Sequence, residues 1–107
     1  MSDAVIVLTT WPAEGAAAEV AQTLVTERLA ACVNVLGEMQ STYRWQGSLE
    51  VDRERQLVIK TTRTRLAALE GRLAALHPYQ LPEFLVLSVE AGSASYLAWL
   101  RESTGEP

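Results

Sequence analysis

The sequence predicts an α+β domain of β-α-β-β-α-β order, and three observations carry that prediction. Two uninterrupted apolar runs, Val5-Ile6-Val7-Leu8 and Leu57-Val58-Ile59, read as strands with little polar alternation. Two stretches repeat their apolar residues every three or four positions and read as amphipathic helices lying between strands. A Gln46-Gly47 turn signal joins two alternating segments, which reads as a β-hairpin.

Taken in order, the first strand is ended by Thr9-Thr10-Trp11-Pro12, and Pro12 opens a helix over residues 13–29. Ala17, Val20, Ala21, Leu24 and Val25 form its apolar stripe, and Gly15 weakens its first turn, which makes Ala16 the alternative start. The period then becomes two, with Val33 and Val35 alternating against Cys32 and Asn34, and Gly37 marks a break. In the hairpin, Tyr43 and Trp45 share one face while Leu49 and Val51 share the other. The return strand passes through charged residues 52–55 into a strand core over residues 56–61.

Thr62 or Thr64 is placed to cap the next helix, whose stripe is Leu66, Leu69, Leu73 and Leu76, and His77-Pro78 stops it. A strand over residues 83–89 and a short helix over residues 96–101 complete the chain, followed by a polar tail from Glu102. Tyr96, Leu97, Trp99 and Leu100 are the expected packing residues of that last helix, and the loops are expected to hold Trp11 and Tyr79. This order is the split βαβ, or ferredoxin-like, sandwich. Right-handed crossovers put the two apolar runs at the centre of the sheet. Both long helices then cover one face, so the apolar character of the other predicts a second copy of the chain over it.

At 107 residues the chain reads as one domain over residues 1–107. A formal charge of −4 disfavours a phosphate-backbone binder, so no nucleic acid is expected. Met1-Ser2-Asp3 lacks the basic region of a signal peptide, and no apolar run is long enough to span a bilayer. A single cysteine fits a reducing compartment. The expectation is a cytoplasmic protein with no membrane partner.

Catalytic templates are absent: there is no Walker lysine loop, GxGxxG or GxSxG. A nucleophile–imidazole pair would have to use the one histidine, His77, and the metal-chaperone Cys-x-x-Cys is missing beside the first strand. No enzyme activity is expected. Soft metal ligation is limited to Cys32 and His77, so a strong site needs several subunits or carboxylates. The bland alternatives are a small buried hydrophobe for Cys32 and a helix-end histidine bonded to the last carbonyls for His77. Trp45, far out on the hairpin, reads as an interface anchor.

Five stretches in register resemble the CutA divalent-cation-tolerance family. They are Glu27-Arg28-Leu29-Ala30-Ala31-Cys32-Val33-Asn34, Ser41-Thr42-Tyr43-Arg44-Trp45-Gln46-Gly47, Ile59-Lys60-Thr61-Thr62, His77-Pro78-Tyr79-Gln80-Leu81-Pro82-Glu83 and Tyr96-Leu97-Ala98-Trp99-Leu100. The resemblance implies a ferredoxin-like homotrimer with hairpin arms reaching to neighbours, in the cytoplasm. It also implies a role in tolerance of copper and other divalent metals; from the few ligands present here, weak binding of the ion and no obligatory cofactor are expected. Cys32 and His77 match positions proposed as metal ligands, while Thr9 and Leu76 stand where some relatives carry a further Cys and His. Tyr43, Arg44, Trp45, Lys60, Tyr79 and Glu83 are the expected inter-subunit cleft.

Two other readings compete with a metal-homeostasis trimer. One is a sensor that binds a small anionic effector between subunits, with Lys60 and Arg44 as cations and Trp45 and Tyr79 as walls. The other is a trimeric scaffold for a protein partner.

Overall fold

The computed structural model describes residues 3–105, so the reading made at Met1 and Ser2 lies outside the described residues. The elements are β1 (Ala4–Pro12), α1 (Ala17–Thr26), β2 (Cys32–Val35), β3 (Met39–Trp45), β4 (Ser48–Thr62), α2 (Leu66–Leu76), β5 (Leu85–Ser88) and α3 (Ala94–Thr104). The sheet runs β2-β4-β1-β5, with β3 paired to the outer length of β4. All pairings are antiparallel, and β1 and β4 are central, as the ferredoxin-like reading requires.

The β1–β4 pair runs from Ala4 opposite Thr62 to Pro12 opposite Glu54. Since side chains alternate between faces, Val7 and Trp11 of β1 and Leu57 and Ile59 of β4 project to one side. There they pack with Val20 and Leu24 of α1 and Leu69 and Leu73 of α2 in one buried cluster. Val33 and Val35 of β2 join its edge. A smaller cluster of Ala4, Ala31 and Leu100 seats α3 across the end of the sheet where β1 begins.

Several element ends differ from the sequence expectation, each for a local reason. α1 starts at Ala17 rather than at residue 13, because the Ala13 amide donates to the Arg53 carbonyl and the Gly15 amide to Pro12. Those bonds spend the first turn on a loop. A Cβ on Gly15 would stand 3.0 Å from Trp11 Cδ1, so the glycine is what lets the loop close over that indole. At its other end α1 stops at Thr26, where Arg28 turns to φ 60° and the Leu29 and Ala30 amides both donate to the Leu24 carbonyl. The Arg28 guanidinium meanwhile caps α3, donating to the Glu102 carbonyl at 3.2 Å.

Neither threonine caps α2. A 3₁₀ turn, Arg63–Arg65, intervenes, and the Thr62 and Thr64 hydroxyls lie 3.2 Å from one another. β5 is four residues long rather than seven, because the Glu83 carboxylate is held by Gln56 and the Phe84 ring turns toward the main core. α3 begins at Ala94, with the Ser93 hydroxyl accepting from the Tyr96 amide, and runs through the expected tail to Thr104, which is buried. Leu100 is the buried residue of its stripe, while Tyr96 and Trp99 are exposed and pack against each other as tilted rings with centroids 5.3 Å apart. Trp11 is not a loop residue: it lies in β1 opposite Arg55 and is buried.

The other face of the sheet carries Ile6 and Leu8 of β1, Val58 and Lys60 of β4, Cys32 and Asn34 of β2, and Leu85 and Leu87 of β5. Leu85 is 55% and Leu87 50% exposed, and neither long helix packs there. Beyond this face, β3 and residues 48–54 of β4 project as the arm, closed by Gln46 at φ 49° and Gly47 at φ 84°. The arm stretches the molecule to 44 × 25 × 24 Å. Its radius of gyration, 14.5 Å, exceeds the roughly 13 Å of a compact chain of this length.

One polar atom in the core has no partner among the described residues, the hydroxyl of the fully buried Thr9. Valine has the same shape without that hydroxyl. Thr9→Val should therefore raise unfolding free energy by about 1 kcal/mol, read as a higher urea midpoint at unchanged slope. A lower midpoint would show that the hydroxyl is satisfied.

Candidate functional site

The arm, the open-face side chains of β4 near its base and the loop after α2 border one space. Between them lies a cavity of about 850 Å³, lined by Thr10, Met39, Tyr43, Arg44, Trp45, Glu54, Gln56, Tyr79 and Glu83 among others. Tyr43, Trp45 and Met39 lie opposite Glu50, Ser48 and Glu54, so they share the face on which Glu54 and Gln56 continue the sheet.

The cavity floor is a hydrogen-bonded chain anchored on β1. The Gln56 amide donates to the Thr9 carbonyl at 2.7 Å and to Glu83 Oε2 at 3.0 Å. The Tyr79 hydroxyl donates to Glu54 Oε2 at 2.8 Å, and Glu54 is only 6% exposed. Farther out, the Tyr43 hydroxyl donates to Asp52. These bonds hold both phenols protonated: the Asp52 bond pushes Tyr43 up to about 12. Burial, then the Glu54 bond, push Tyr79 well above the usual phenol range.

His77 stands behind this floor rather than in it. It is buried, with Nε2 2.7 Å from the Thr10 carbonyl and Nδ1 accepting from the Tyr79 amide at 3.1 Å. An amide can only donate, so Nδ1 is the acceptor and the proton sits on Nε2, which donates to Thr10. The ring packs between Trp11 at 4.1 Å and Tyr79 at 4.7 Å. Its ring therefore bonds to β1 and to the following loop, not to the last carbonyls of the helix. It fixes the approach of Tyr79 to Glu54.

The expected site residues thus fall into three places. Tyr43, Arg44, Trp45, Tyr79 and Glu83 are brought together around the cavity. Lys60 is not among them: it lies half-buried on the open sheet face, flanked by Ile6 and Cys32. Cys32, a half-buried free thiol, shares that rung, whereas His77 meets β1 at Thr10. Thr10 lies four residues farther along the strand, about 13 Å away, so one chain does not bring thiol and imidazole together. Among the described residues no group of three or more His, Cys, Asp or Glu side chains is placed to hold a metal ion. Leu76 packs against the main core.

Glu54 and Gln56 belong to the cavity and were missed as site residues. The signal was available: counting back in steps of two from Val58 through Gln56 to Glu54 keeps to the open face and leads onto the arm.

Fold and cavity together define a ferredoxin-like domain with a projecting hairpin arm and a polar cleft at the arm's base. A family model described as CutA1 divalent ion tolerance protein matches residues 5–103. The chain is similar to the divalent-cation tolerance protein CutA of Thermus thermophilus, at 48% identity over 94% of this chain and 97% of the relative. It is also similar to CutA of Salmonella newport, at 45% identity over 94% and 88%. Its backbone superimposes on the Thermus thermophilus structure with a TM-score of 0.91, at 47% identity over 95% of this chain and 99% of that one. For CutA1 from Oryza sativa the TM-score is 0.93, at 37% identity over 99% and 97%. The chain belongs to the CutA1 divalent ion tolerance family, whose members are named for tolerance and not for a reaction. Among the described residues no helix is long and apolar enough to cross a membrane.

The Tyr79 phenol sets a pH limit on the floor. A phenol whose folded pKa is raised adds stability that is complete below the unfolded value of 10.0 and is lost as pH climbs toward the folded one. Wild-type unfolding free energy should therefore fall above about pH 10, and Tyr79→Phe should flatten that fall in urea melts. An unchanged slope in the variant would place the titration elsewhere.

Proposed function

We propose that the chain acts in divalent-cation tolerance as a cytoplasmic, non-catalytic homotrimer. The observation that carries the reading is the uncovered apolar face of the sheet, Ile6, Leu8, Val58, Leu85 and Leu87, together with a second exposed apolar surface on the opposite side of the arm, where Leu49 is 75% and Val51 53% exposed. Patches of this kind on a small chain mark surfaces that associate. The relatives' name supplies the metal connection, and Cys32 on that same face is the thiolate a soft cation would meet.

Any metal site is then shared. A threefold assembly can gather copies of Cys32, while His77 joins only by giving up its bond to Thr10 or Tyr79. Binding is therefore weak, in the micromolar range or poorer, with copper preferred to magnesium.

The anionic-effector reading gains no support from the cavity, where Glu54 and Glu83 outnumber Arg44 and Lys60 is absent. The scaffold reading rests on no feature of its own.

Light scattering should give about three times the chain mass of 11.7 kDa across dilution. A monomer at micromolar concentration would refute the assembly. Copper calorimetry on wild type, Cys32→Ser and His77→Ala should show the largest loss with Cys32→Ser. Equal affinity in all three would remove both residues from metal binding.

A further inference from the structure

Every second side chain of β4 from Ser48 to Thr62 projects to the open side of the sheet, because its ladders with β3 and β1 run without a register break. Along that stripe the charges are sorted. Glu50, Asp52 and Glu54 come first, Gln56 and Val58 follow, and Lys60 stands near the far end. Two of the carboxylates are already engaged: Asp52 accepts from the Tyr43 hydroxyl and Glu54 from the Tyr79 hydroxyl. Glu50 and Lys60 are both half-buried, and neither has a hydrogen-bond or ion-pair partner among the described residues.

These two opposite charges cannot meet within one chain. Ten residues of strand separate them, about 34 Å, in a molecule 44 Å long. Lys60 also stands where a lone charge is least tolerable once covered. Ile6 and Cys32 flank it on its rung, Leu87 lies beyond Ile6, and Val58 precedes it on the stripe. A second copy over this face takes the ammonium out of water, and a buried ammonium without a counter-charge is strongly unfavourable. The face therefore favours a copy that brings a carboxylate to Lys60. Since Glu50 and Lys60 face the same side, a copy turned onto this face presents its own unpaired Glu50 toward it.

We propose that copies of this chain are set in register by an ion pair between Glu50 of one and Lys60 of the next. The pair rests on the assembly proposed above and adds the contact that orients it: opposite ends of the stripe attract and like ends repel.

Sedimentation velocity across dilution compares wild type with Glu50→Lys, Lys60→Glu and the double exchange, with circular dichroism confirming each fold. Each single exchange sets like charges together and should raise the concentration at which the assembly dissociates at least about tenfold. The double exchange brings opposite charges back and should return it to within about threefold of wild type. Glu50 lies on the arm, outside both buried clusters. Glu50→Lys can therefore be read even where Lys60→Glu misfolds, and adding Lys60→Met to it should then relieve the repulsion. A wild type that is monomeric at micromolar concentration overturns the assembly and the pair together. A wild type that assembles, with folded single exchanges that dissociate just as it does, overturns the pair alone. So does a double exchange no more stable than the singles.

Discussion

The antiparallel pairing of β1 with β4 is the constraint on which the rest of this molecule depends. Because Ala4 meets Thr62 and Pro12 meets Glu54, one register decides which side chains enter the core and which face outward. Slipping it by one residue would bury Gln56 and Lys60 and expose Leu57 and Ile59. The same pairing brings the Thr9 and Thr10 carbonyls to the edge where Gln56 and His77 bind them. The cavity floor is thus an extension of the central ladder, and its precision comes from strands rather than from the loop that closes it.

β4 is longer than either of its neighbours in the central sheet, and that surplus length creates the arm. Its inner part lies between β1 and β2, while residues 48–54 carry β3 outward as the arm. A two-stranded ribbon is marginal in water on its own. Here it presents Leu49 and Val51 on one side and the cavity aromatics on the other. The open face behind it exposes Leu85 and Leu87 on an edge strand whose four residues are all exposed. An edge of that kind invites pairing unless something covers it. Arm, open face and edge strand are consistent with one account, in which each chain is completed by others.

Much of this was legible in the residues. Uninterrupted apolar runs, period-two alternation and period-three-to-four stripes placed the strands and the two long helices, and the Gln46-Gly47 turn located the arm tip. The ends were harder, because they are set by long-range bonds: Ala13 to Arg53 delays α1, and the Glu83–Gln56 bond with the inward turn of Phe84 shortens β5. The cavity was half legible. Tyr43, Trp45, Tyr79 and Glu83 stand in conspicuous motifs, but Glu54 sits in a charged stretch that looks like ordinary solvated surface, and only pairing with β3 shows it facing Tyr79. Lys60 lies on the open sheet face and does not line the cavity, a distinction that motif membership alone does not carry. His77 bears functional-looking chemistry, yet its ring is spent on joining β1 to the loop.

The central claim is that the arm and open face are covered in the working protein, and native-state hydrogen exchange reads this directly. The account predicts that amides of β3 and residues 48–53 of β4 are protected to within about tenfold of Leu57 and Ile59, since a covered arm opens only with the whole assembly. Exchange of the arm near the unprotected rate, with residues 57–59 still protected, would show a solvated ribbon and contradict the account.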